Sequence, residues 1–460
     1  MYKINFEKPV HIHFIGIGGI SMSGLAEILL NEHFTVSGSD NKESKLTTHL
    51  RDMGAKISIG QKASNIEDGI DVVVYTAAIH EDNEEFAEAK RHGLPMLSRA
   101  ELLGQLMTNY KLPIAVAGTH GKTTTTSMLS HILLAGDTDP TISVGGILPA
   151  IHGNIRVGNS EIFVTEACEY TNSYYHFFPK ISIILNIEED HMDFFKDIND
   201  IRDSFHTFAK LLPEDGTLII NGEIDRLKEI TADLPCSVIT YDTKDQHADY
   251  SASDIAYDEM GNASFELLIH GRPSGQIRLS VNGIHNVSNA LSAIAAAQLL
   301  DIPMEKIKEG LLSFTGTDRR FQYKGDKNGF HIVDDYAHHP TEIRATLRAA
   351  ANYPHRETWC IFQPHTYTRT KAFFHEFADA LSLADHVILA DIYAARETDT
   401  LGMSSALLAE ELRTKGCDAT YLPSFEDIET FVLEHCKEDD LLITMGAGDV
   451  VNIGETLLSM

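Results

Sequence analysis

Residues 114–124, Ile-Ala-Val-Ala-Gly-Thr-His-Gly-Lys-Thr-Thr, combine the residue types that bind a polyphosphate. The glycines predict a tight turn between a buried strand and a helix, which points several backbone N–H groups and the positive helix end at one place. Lys122 would then reach the β- and γ-phosphates, and the hydroxyl of Thr123 would hold a magnesium ion. The residues predicted to contact the nucleotide in this turn are Gly118, Thr119, His120, Gly121, Lys122, Thr123 and Thr124.

This turn is a shortened variant of the general phosphate-binding loop. The general pattern places its first glycine where this chain has Val116, and Gly118 lies closer to the second glycine instead. An ordinary connection between a strand and a helix is the alternative interpretation. The complete order of strand, glycines, lysine and hydroxyls favours nucleotide binding.

Acidic residues follow two further apolar runs that are predicted to be strands. Glu166 and Glu169 end the run at 162–165, and Asn-Ile-Glu-Glu-Asp-His-Met-Asp (186–193) follows the run at 182–185. Because carboxyl ends of parallel strands share one edge of a sheet, these groups are expected beside the phosphate loop. Carboxylate and hydroxyl oxygens suit Mg²⁺, and a neutral histidine can complete its coordination. The alternative is a set of ordinary solvated acids, which is less favoured beside a loop that needs a metal.

Histidine and arginine residues lie at the expected strand ends of the last third of the chain. His338 and His339 lie between a predicted strand and the helix that follows it. Two adjacent histidines at the carboxyl end of a strand are not typical of core packing. Arg369 follows the next strand and can bind a carboxylate or a phosphate. Arg319 and Arg320 come directly after a predicted domain boundary, where they would add cationic charge near the phosphates. An exposed arginine pair is the alternative for these two.

The N-terminal segment has the pattern of a dinucleotide-binding turn. A strand at 10–15 leads into Gly16-Ile-Gly-Gly19, a helix follows, and a second strand ends in Gly-Ser-Asp40. An acidic residue at such a strand end commonly binds a ribose hydroxyl. Ser21 replaces the third glycine of the pattern, so NAD stays open, and a nucleotide or nucleotide sugar is favoured over an inert fold.

Two asparagines stand at the start of a helix predicted over 285–300. Asn286 and Asn289 follow His285 closely. Helix capping explains one asparagine well. Contact with a nucleobase edge is preferred for the pair.

Three α/β domains would position these groups. Strands alternating with helices predict an N-terminal Rossmann-like domain (1–108), a central P-loop-like ATPase domain with a mostly parallel sheet (109–316) and a C-terminal Rossmann-like doubly wound sheet (317–460). Alternating polar and apolar residues over 248–281 predict antiparallel hairpins within the central domain.

Composition excludes several classes of function. The formal charge of −30 argues against non-specific nucleic-acid binding. No apolar run approaches the length of a membrane helix, so no membrane partner is expected. The 5 scattered cysteines are typical of reduced thiols, which predicts a cytoplasmic protein.

The succession of motifs resembles the Mur ligase family, whose members form amide bonds at the expense of ATP in peptidoglycan precursor synthesis. The resemblance covers essentially the whole chain in the family's order. It rests on these segments: GIGGISMSG (16–24), GSD (38–40), GTHGKTTTT (118–126), EACEY (166–170), NIEEDHMD (186–193), HNVSNA (285–290), DDYAHHPTE (334–342) and FQPHTYTRT (362–370).

The resemblance implies roles for individual residues. UDP-N-acetylmuramate would bind the first domain, so that the glycine turn serves UDP instead of NAD, and L-alanine would be the second small-molecule substrate. ATP and Mg²⁺ would be the cofactors, and the protein would be a monomer or a weak homodimer. The implied substrate contacts are Gly18, Gly19, Ser39, Asp40, Tyr336, His338 and Arg369. The implied metal ligands are Thr123, Glu166 and His191, the implied adenine and phosphate contacts are His285, Asn286, Asn289 and Arg320, and the implied catalytic residues are Lys122, His338, Arg369 and Arg319.

The family chemistry would convert a carboxylate of the sugar nucleotide into an acyl phosphate, which the amine of L-alanine then attacks. His338 could accept the amine proton. Two departures bear on this expectation. Thr366 stands where many relatives carry Arg, and His206 stands where later ligases of the pathway carry a carbamylated lysine, so no carbamate is expected.

Three other interpretations remain open at this point. A ligase that attaches a recycled peptide to the same sugar nucleotide would share most motifs. An NAD-dependent dehydrogenase and a non-catalytic nucleotide sensor are the alternatives from other classes.

Overall fold

The computed structural model describes residues 2–76, 78–395 and 397–460. The chain forms two compact units. The first runs up to Ile187 and includes Asn199–Tyr241 and Ser292–Gly310, and the second comprises Glu188–Ile198, Asp242–Leu291 and Leu311–Met460. Among the described residues, no helix has both the length and the apolar character needed to span a membrane.

A five-stranded parallel sheet forms the N-terminal part of the first unit. Its strand order is β3-β2-β1-β4-β5, so β2 and β3 lie on one side of β1 and β4 and β5 lie on the other, which makes β1 the reversal point of the sheet. The strands are β1 His11–Ile15, β2 Thr35–Asp40, β3 Lys56–Ile59, β4 Val72–Tyr75 and β5 Met96–Ser98, and the helices are α1 Ile20–Asn31, α2 Lys45–Asp52, α3 Glu84–Arg91 and α4 Arg99–Met107. Ligands of such open sheets bind beyond the carboxyl ends of the strands at this reversal point.

A second sheet follows in the same unit, with strand order β12-β11-β10-β6-β9-β7-β8. Neighbouring strands are parallel except for β7 and β8, which form an antiparallel pair. The strands are β6 Leu112–Ala117, β7 Thr141–Leu148, β8 Gly153–Arg156, β9 Ile162–Ala167, β10 Ile181–Ile184, β11 Thr217–Asn221 and β12 Ser237–Asp242, and the helices are α5 Lys122–Ala135, α6 Ile198–Ala209 and α7 Leu227–Thr231. The register pairs Val116 with Glu166 and Ala117 with Ile184, so the three strand ends at β9, β6 and β10 lie side by side.

Three antiparallel strands of the second unit confirm the predicted hairpins. They are β13 Tyr250–Tyr257, β14 Asn262–Ile269 and β15 Arg272–Asn282, with register shifts in both pairs. The helices α8 Ile284–Leu299 and α9 Met304–Ser313 come next.

The C-terminal sheet of the second unit has the order β16-β17-β21-β18-β19-β20. All pairs are parallel except β16 with β17. The strands are β16 Gln322–Lys327, β17 Phe330–Asp335, β18 Thr358–Phe362, β19 His386–Leu389, β20 Asp418–Tyr421 and β21 Leu441–Met445, and the helices are α10 Pro340–Ala350, α11 Tyr367–Ala372, α12 Phe374–Leu381, α13 Ser405–Thr414, α14 Phe425–His435 and α15 Val451–Ser459. Apolar side chains on both faces of these strands form two buried clusters, as a sheet covered by helices on both sides requires.

Candidate functional site

The turn between β6 and α5 has the geometry of a phosphate-binding loop. Gly118 has φ +145°, and a Cβ at this position would lie 2.9 Å from the Cβ of Leu185, so only glycine fits. Gly121 has φ +84° and precedes α5 without a side-chain cap. The first N–H groups of α5 are therefore left for a ligand, as in helix N-termini that bind anions.

Asn186 holds this turn from the neighbouring strand end. Its side-chain oxygen accepts a hydrogen bond from the backbone N–H of His120 at 2.7 Å, and its Nδ2 donates to the His120 carbonyl at 3.0 Å. The backbone N–H of Thr119 donates to the Asn186 carbonyl at 3.2 Å. The sequence motif contained Asn186, but no role was predicted for it.

Lys122 lies folded over its own loop. Its ammonium donates to the carbonyls of Gly118 at 2.5 Å and Thr119 at 3.1 Å, and it forms an ion pair with Glu169 Oε2 at 2.9 Å. Burial alone would lower the pKa of Lys122, but the Glu169 carboxylate beside it raises that pKa instead. The side chain therefore carries a positive charge at the point where phosphates would lie.

Thr123 and Glu166 meet where β9 ends. The Thr123 hydroxyl donates to Glu166 Oε2 at 3.1 Å, and the backbone N–H of Gly145 donates to the other carboxylate oxygen. A hydroxyl and a carboxylate oxygen are hard ligands of the kind that Mg²⁺ prefers, so these two residues fit the predicted metal. His191, the third predicted ligand, belongs to the second unit, where its Nε2 lies 3.9 Å from Asp190 Oδ2.

A cavity of about 440 Å³ lies at the carboxyl ends of β1, β2 and β4, and two of the predicted sugar-nucleotide residues line it. Gly19 and Asp40 line this cavity, and Asp40 Oδ2 accepts a hydrogen bond from the backbone N–H of Gly18 at 2.9 Å. Ser39 lies differently from the other predicted substrate contacts, because it is fully buried and its hydroxyl donates to the carboxylate of Glu85. Its side chain thus faces the domain interior.

In the second unit, Arg369 forms the centre of a polar cluster. Its Nη2 lies 2.9 Å from Asp190 Oδ1, and its Nη1 lies 3.2 Å from His365 Nδ1. Burial would raise the pKa of Asp190, but the Arg369 guanidinium and the nearby His191 hold that pKa well below its usual range. Asp190 and His365 lay within the motifs, yet the sequence did not predict their contact with Arg369.

His338 lies beside this cluster at the end of β17. Its ring centroid is 5.8 Å from that of His365 and 5.3 Å from that of Tyr336. Its Nδ1 lies 3.0 Å from the Tyr336 carbonyl and 3.3 Å from Glu342 Oε2. Burial lowers the pKa of both histidines to about 4, so the two imidazoles are neutral at pH 7.

The two arginines after the predicted domain boundary have different surroundings. The guanidinium of Arg319 donates to Asp334 Oδ2 at 3.0 Å, to the Gly448 carbonyl at 3.1 Å and to the Gly446 carbonyl at 2.7 Å. Arg320 makes a longer ion pair with Glu342 at 3.6 Å, and its side chain is 30% exposed. Arg319 therefore links Asp334 to the Gly446 and Gly448 carbonyls at the carboxyl end of the sheet, and Arg320 is the more accessible cation.

The predicted adenine contacts lie at the start of α8. His285 is exposed, whereas Asn286 and Asn289 are buried. Asn286 Nδ2 donates to the Asn282 carbonyl at 2.8 Å, and Asn289 Nδ2 donates to Asn286 Oδ1 at 3.1 Å. Part of each amide thus stabilises the helix start, and adenine contact by these residues stays a prediction.

The fold and these sites define an α/β protein with a phosphate-binding loop in one sheet and separate polar clusters at the carboxyl ends of two others. Comparison with known families gives three matches along the chain. Residues 11–111 match the Mur ligase family catalytic domain, residues 116–297 the Mur ligase middle domain, and residues 319–448 the Mur ligase glutamate ligase domain. The chain belongs to the Mur ligase family, which confirms the predicted resemblance and the three-domain α/β fold class.

Individual relatives match over the full length. The UDP-N-acetylmuramate–L-alanine ligase of Agathobacter rectalis is 63% identical over 458 residues, covering 100% of both chains. A crystal structure of UDP-N-acetylmuramate-alanine ligase from Thermotoga maritima has a TM-score of 0.80 at 29% identity, covering 98% of both chains. A murein peptide ligase from Psychrobacter arcticus has a TM-score of 0.69 at 27% identity, also covering 98% of both chains.

Proposed function

We propose that this protein ligates L-alanine to the lactyl carboxylate of UDP-N-acetylmuramate at the expense of ATP, releasing ADP and phosphate, in peptidoglycan precursor synthesis. The observation that carries this proposal is the full-length likeness to ligases of that specificity. The phosphate loop, the N-terminal cavity and the Arg369 cluster supply groups for each of the three substrates. The boundaries 1–108, 109–316 and 317–460 remain our proposal for the domains.

The phosphate loop would bind and orient ATP. Lys122 and the N-terminus of α5 would neutralise charge on the β- and γ-phosphates as the phosphoryl group moves to the lactyl carboxylate. Thr123, Glu166 and His191 are the proposed magnesium ligands, and the ion, when bound, supplies further positive charge on the phosphate oxygens. The resulting acyl phosphate makes the carboxyl carbon reactive toward an amine.

Arg320 is the better candidate than Arg319 for contact with the phosphates. Every contact of Arg319 described above ties it to Asp334 and to two backbone carbonyls, so moving it would leave the buried Asp334 without its ion pair. Arg320 would give up an ion pair of 3.6 Å with Glu342 and a contact of 5.4 Å with the Tyr336 ring. We therefore propose that Arg319 holds its own segment in place and that Arg320 contacts the phosphates.

Arg369, Tyr336 and His338 would serve the amino acid and the lactyl group. The guanidinium of Arg369 offers paired donors for a carboxylate, and Asp190 fixes its orientation. His338 is neutral at pH 7 because burial lowers its pKa to about 4, which leaves a ring nitrogen lone pair but makes it a weak base. We propose it as the acceptor of the amine proton when the tetrahedral intermediate collapses. Exclusion of water would protect the acyl phosphate from hydrolysis.

The recycling ligase is the second candidate, and no observation favours it. The structural likeness to a murein peptide ligase is lower than the likeness to the alanine ligase. We also propose a cytoplasmic location and a monomeric or weakly dimeric state, in keeping with the five free cysteines and a substrate that carries UDP.

A coupling assay with purified protein tests the proposal. ATP, UDP-N-acetylmuramate and one member of an amino-acid panel would be mixed, and phosphate release and the ligated product would be measured. We expect release that requires both the sugar nucleotide and L-alanine. Coupling of a tripeptide in preference to L-alanine would point to the recycling ligase, and ATP binding without release with any acceptor would point to a sensor.

A further inference from the structure

A fully buried carboxylate lies below the N-terminal cavity. Glu85 is in the first turn of α3 and is 0% exposed. Burying a carboxylate is costly unless it receives hydrogen bonds from several donors. Its surroundings therefore show what the residue holds in place.

Two hydrogen-bond donors converge on the two oxygens of Glu85, and a histidine ring lies close to one of them. The hydroxyl of Ser39 donates to Oε2, and Asn65 Nδ2 donates to Oε1 at 2.5 Å. The ring nitrogen Nε2 of His13 lies 3.7 Å from Oε1. The two donors come from the end of β2 and from the segment after β3, so the carboxylate links both of these to α3.

The orientation of His13 follows from its hydrogen bonds. Its Nδ1 lies 2.9 Å from the Ser37 hydroxyl oxygen, which also lies 2.8 Å from His11 Nε2. A hydroxyl has one hydrogen to give. If Ser37 gives it to His13 and accepts from His11, Nε2 of His13 carries a hydrogen and lies 3.7 Å from Glu85 Oε1, beyond hydrogen-bond distance. The reverse arrangement would direct a lone pair of His13 at the carboxylate, which is unfavourable.

The groups held by Glu85 are joined directly to the wall of the cavity. The carbonyl of Ser39 accepts hydrogen bonds from Gly16 and Ile17 at 2.9 Å each, which fixes the glycine turn. The next residue, Asp40, lines the cavity. Asn65 also donates to the Gly60 carbonyl at 2.9 Å, next to Gln61 of the cavity wall.

The helix that carries Glu85 contributes to the same wall. Asn83 lines the cavity and caps α3 by accepting hydrogen bonds from the backbone of Glu85 at 3.0 Å and of Phe86 at 3.1 Å. Its Nδ2 donates to Gln61 Oε1 at 2.8 Å. Glu85 thus sits where the glycine turn, the end of β2, the segment after β3 and the start of α3 meet.

We propose that Glu85 is a positioning residue for the sugar nucleotide, which acts through Ser39 and Asn65 to hold the glycine turn, Asp40 and Gln61 in their binding geometry. The inference rests on the proposed function, in which this cavity takes the UDP moiety. Ser39 then serves the site through its carbonyl and through Glu85, and its side chain does not contact the ligand. The ATP site, which is built on other strands, should not depend on Glu85.

The test is a kinetic comparison of Glu85→Gln with Glu84→Gln. Glu84 is the exposed neighbour in the same helical turn and serves as the matched control. Gln keeps the size of Glu85 but loses the charge that accepts several hydrogen bonds. We expect Glu85→Gln to raise the KM for UDP-N-acetylmuramate and the Kd for UDP by about tenfold, with kcat and the KM for ATP within about twofold of wild type.

A second variant keeps the test decisive if Glu85→Gln folds poorly. Ser39→Ala removes one donor and leaves the carboxylate in place, so it should raise the same two constants by about threefold. Unchanged UDP binding in both variants would overturn the inference. A rise in the KM for ATP as large as that for UDP-N-acetylmuramate, together with a loss of thermal stability, would also overturn it, since this indicates a general structural role.

The outcome for wild type separates this inference from the proposed function. A wild-type protein that binds UDP but does not ligate L-alanine would contradict the proposed function, while the effect of Glu85→Gln on UDP binding would still support the inference. A wild-type protein that binds no UDP would overturn both. Normal ligation with no effect of Glu85→Gln would overturn the inference alone.

Discussion

The ammonium of Lys122 lies 2.9 Å from Oε2 of Glu169, and both side chains are largely buried, at 17% and 3% exposure. Glu169 is followed by Thr171 and Asn172, two residues other than glycine with φ near +55°. Such backbone is strained, and it persists where the surrounding structure requires it. Lys122 is therefore held by a carboxylate that comes just before a strained turn, a feature that no sequence pattern indicated.

Replacement of Lys122 should separate catalysis from substrate binding. We expect Lys122→Ala to abolish turnover, because the charge on the transferred phosphoryl group is no longer neutralised. UDP binding, measured by calorimetry, should stay near the wild-type value, since the N-terminal cavity uses other residues. Equal loss of both would contradict the assignment of the two sites.

Replacement of Glu169 should affect stability in a ligand-dependent way. Glu169→Gln leaves the buried Lys122 without its ion pair, which should lower the free energy of unfolding by about 3 kcal/mol. ATP should restore more stability in this variant than in wild type, because phosphates supply the missing negative charge. Thermal unfolding with and without ATP measures this. As a control, Glu161→Gln breaks an exposed pair with Lys111 and should cost less than about 1 kcal/mol.

Asn186 offers a test of the loop geometry. Asn186→Ala removes the two side-chain hydrogen bonds to the backbone of His120 and should raise the KM for ATP by about tenfold, with the KM for the sugar nucleotide unchanged. Asn31→Ala, which removes an exposed amide, is the control and should match wild type. A wild-type KM for ATP in Asn186→Ala would show that the loop holds its shape without this residue.

Asp190 should tune the amino-acid site through Arg369. Asp190→Asn weakens the ion pair of 2.9 Å and should raise the KM for L-alanine by about tenfold in steady-state assays. Asp418 lies at the amino end of β20, away from the carboxyl ends of the strands, so Asp418→Asn should leave the KM for L-alanine unchanged. The interpretation is wrong if the KM for ATP alone responds.

Stability should depend on pH through His338 and His365. Their pKa is lowered by burial to about 4, below the value of about 6.5 expected in the unfolded chain. Between these values the unfolded state binds more protons, so the stability contributed by the neutral imidazoles is present above about pH 6.5 and is lost on acidification. Burial raises the pKa of Asp335 to about 6, which opposes this trend. Here the folded state binds the proton more tightly than the unfolded state, so the stability of the folded protein decreases as the pH rises.

Two histidines should outweigh one carboxyl, so urea denaturation is expected to show lower stability at about pH 5 than at about pH 7. His365→Gln should flatten this dependence. A slope that is identical in wild type and His365→Gln would contradict the expectation.

Much of the fold could be predicted because the decisive signals are local. The β-branched run before Gly118 and the glycines of the turn specify β6 and α5, and the positions of Glu166 and of the 186–193 motif follow from parallel strand order. The antiparallel pair β7 and β8 was not predicted, because Gly145 and Gly146 interrupt its apolar pattern. Its contact with Glu166 became visible only in the structure.

The burial of Ser39 and the ties of Arg319 could not be predicted for a different reason. The sequence predicted that this strand ends in Gly38-Ser39-Asp40, but it did not indicate that the side chain of Ser39 faces Glu85. Arg319 and Arg320 are identical in type and adjacent, and they differ in their partners, which for Arg319 are Asp334 and the distant carbonyls of Gly446 and Gly448. Such long-range partners leave no periodic signal in the chain.

In the proposed reaction, the lactyl carboxylate of UDP-N-acetylmuramate is phosphorylated before the amine of L-alanine attacks. The most direct test of this order uses UDP-N-acetylmuramate labelled with ¹⁸O in the lactyl carboxylate, incubated with ATP, L-alanine and the protein. We expect one labelled oxygen in the released phosphate for each amide formed. Amide formation with unlabelled phosphate would contradict this order.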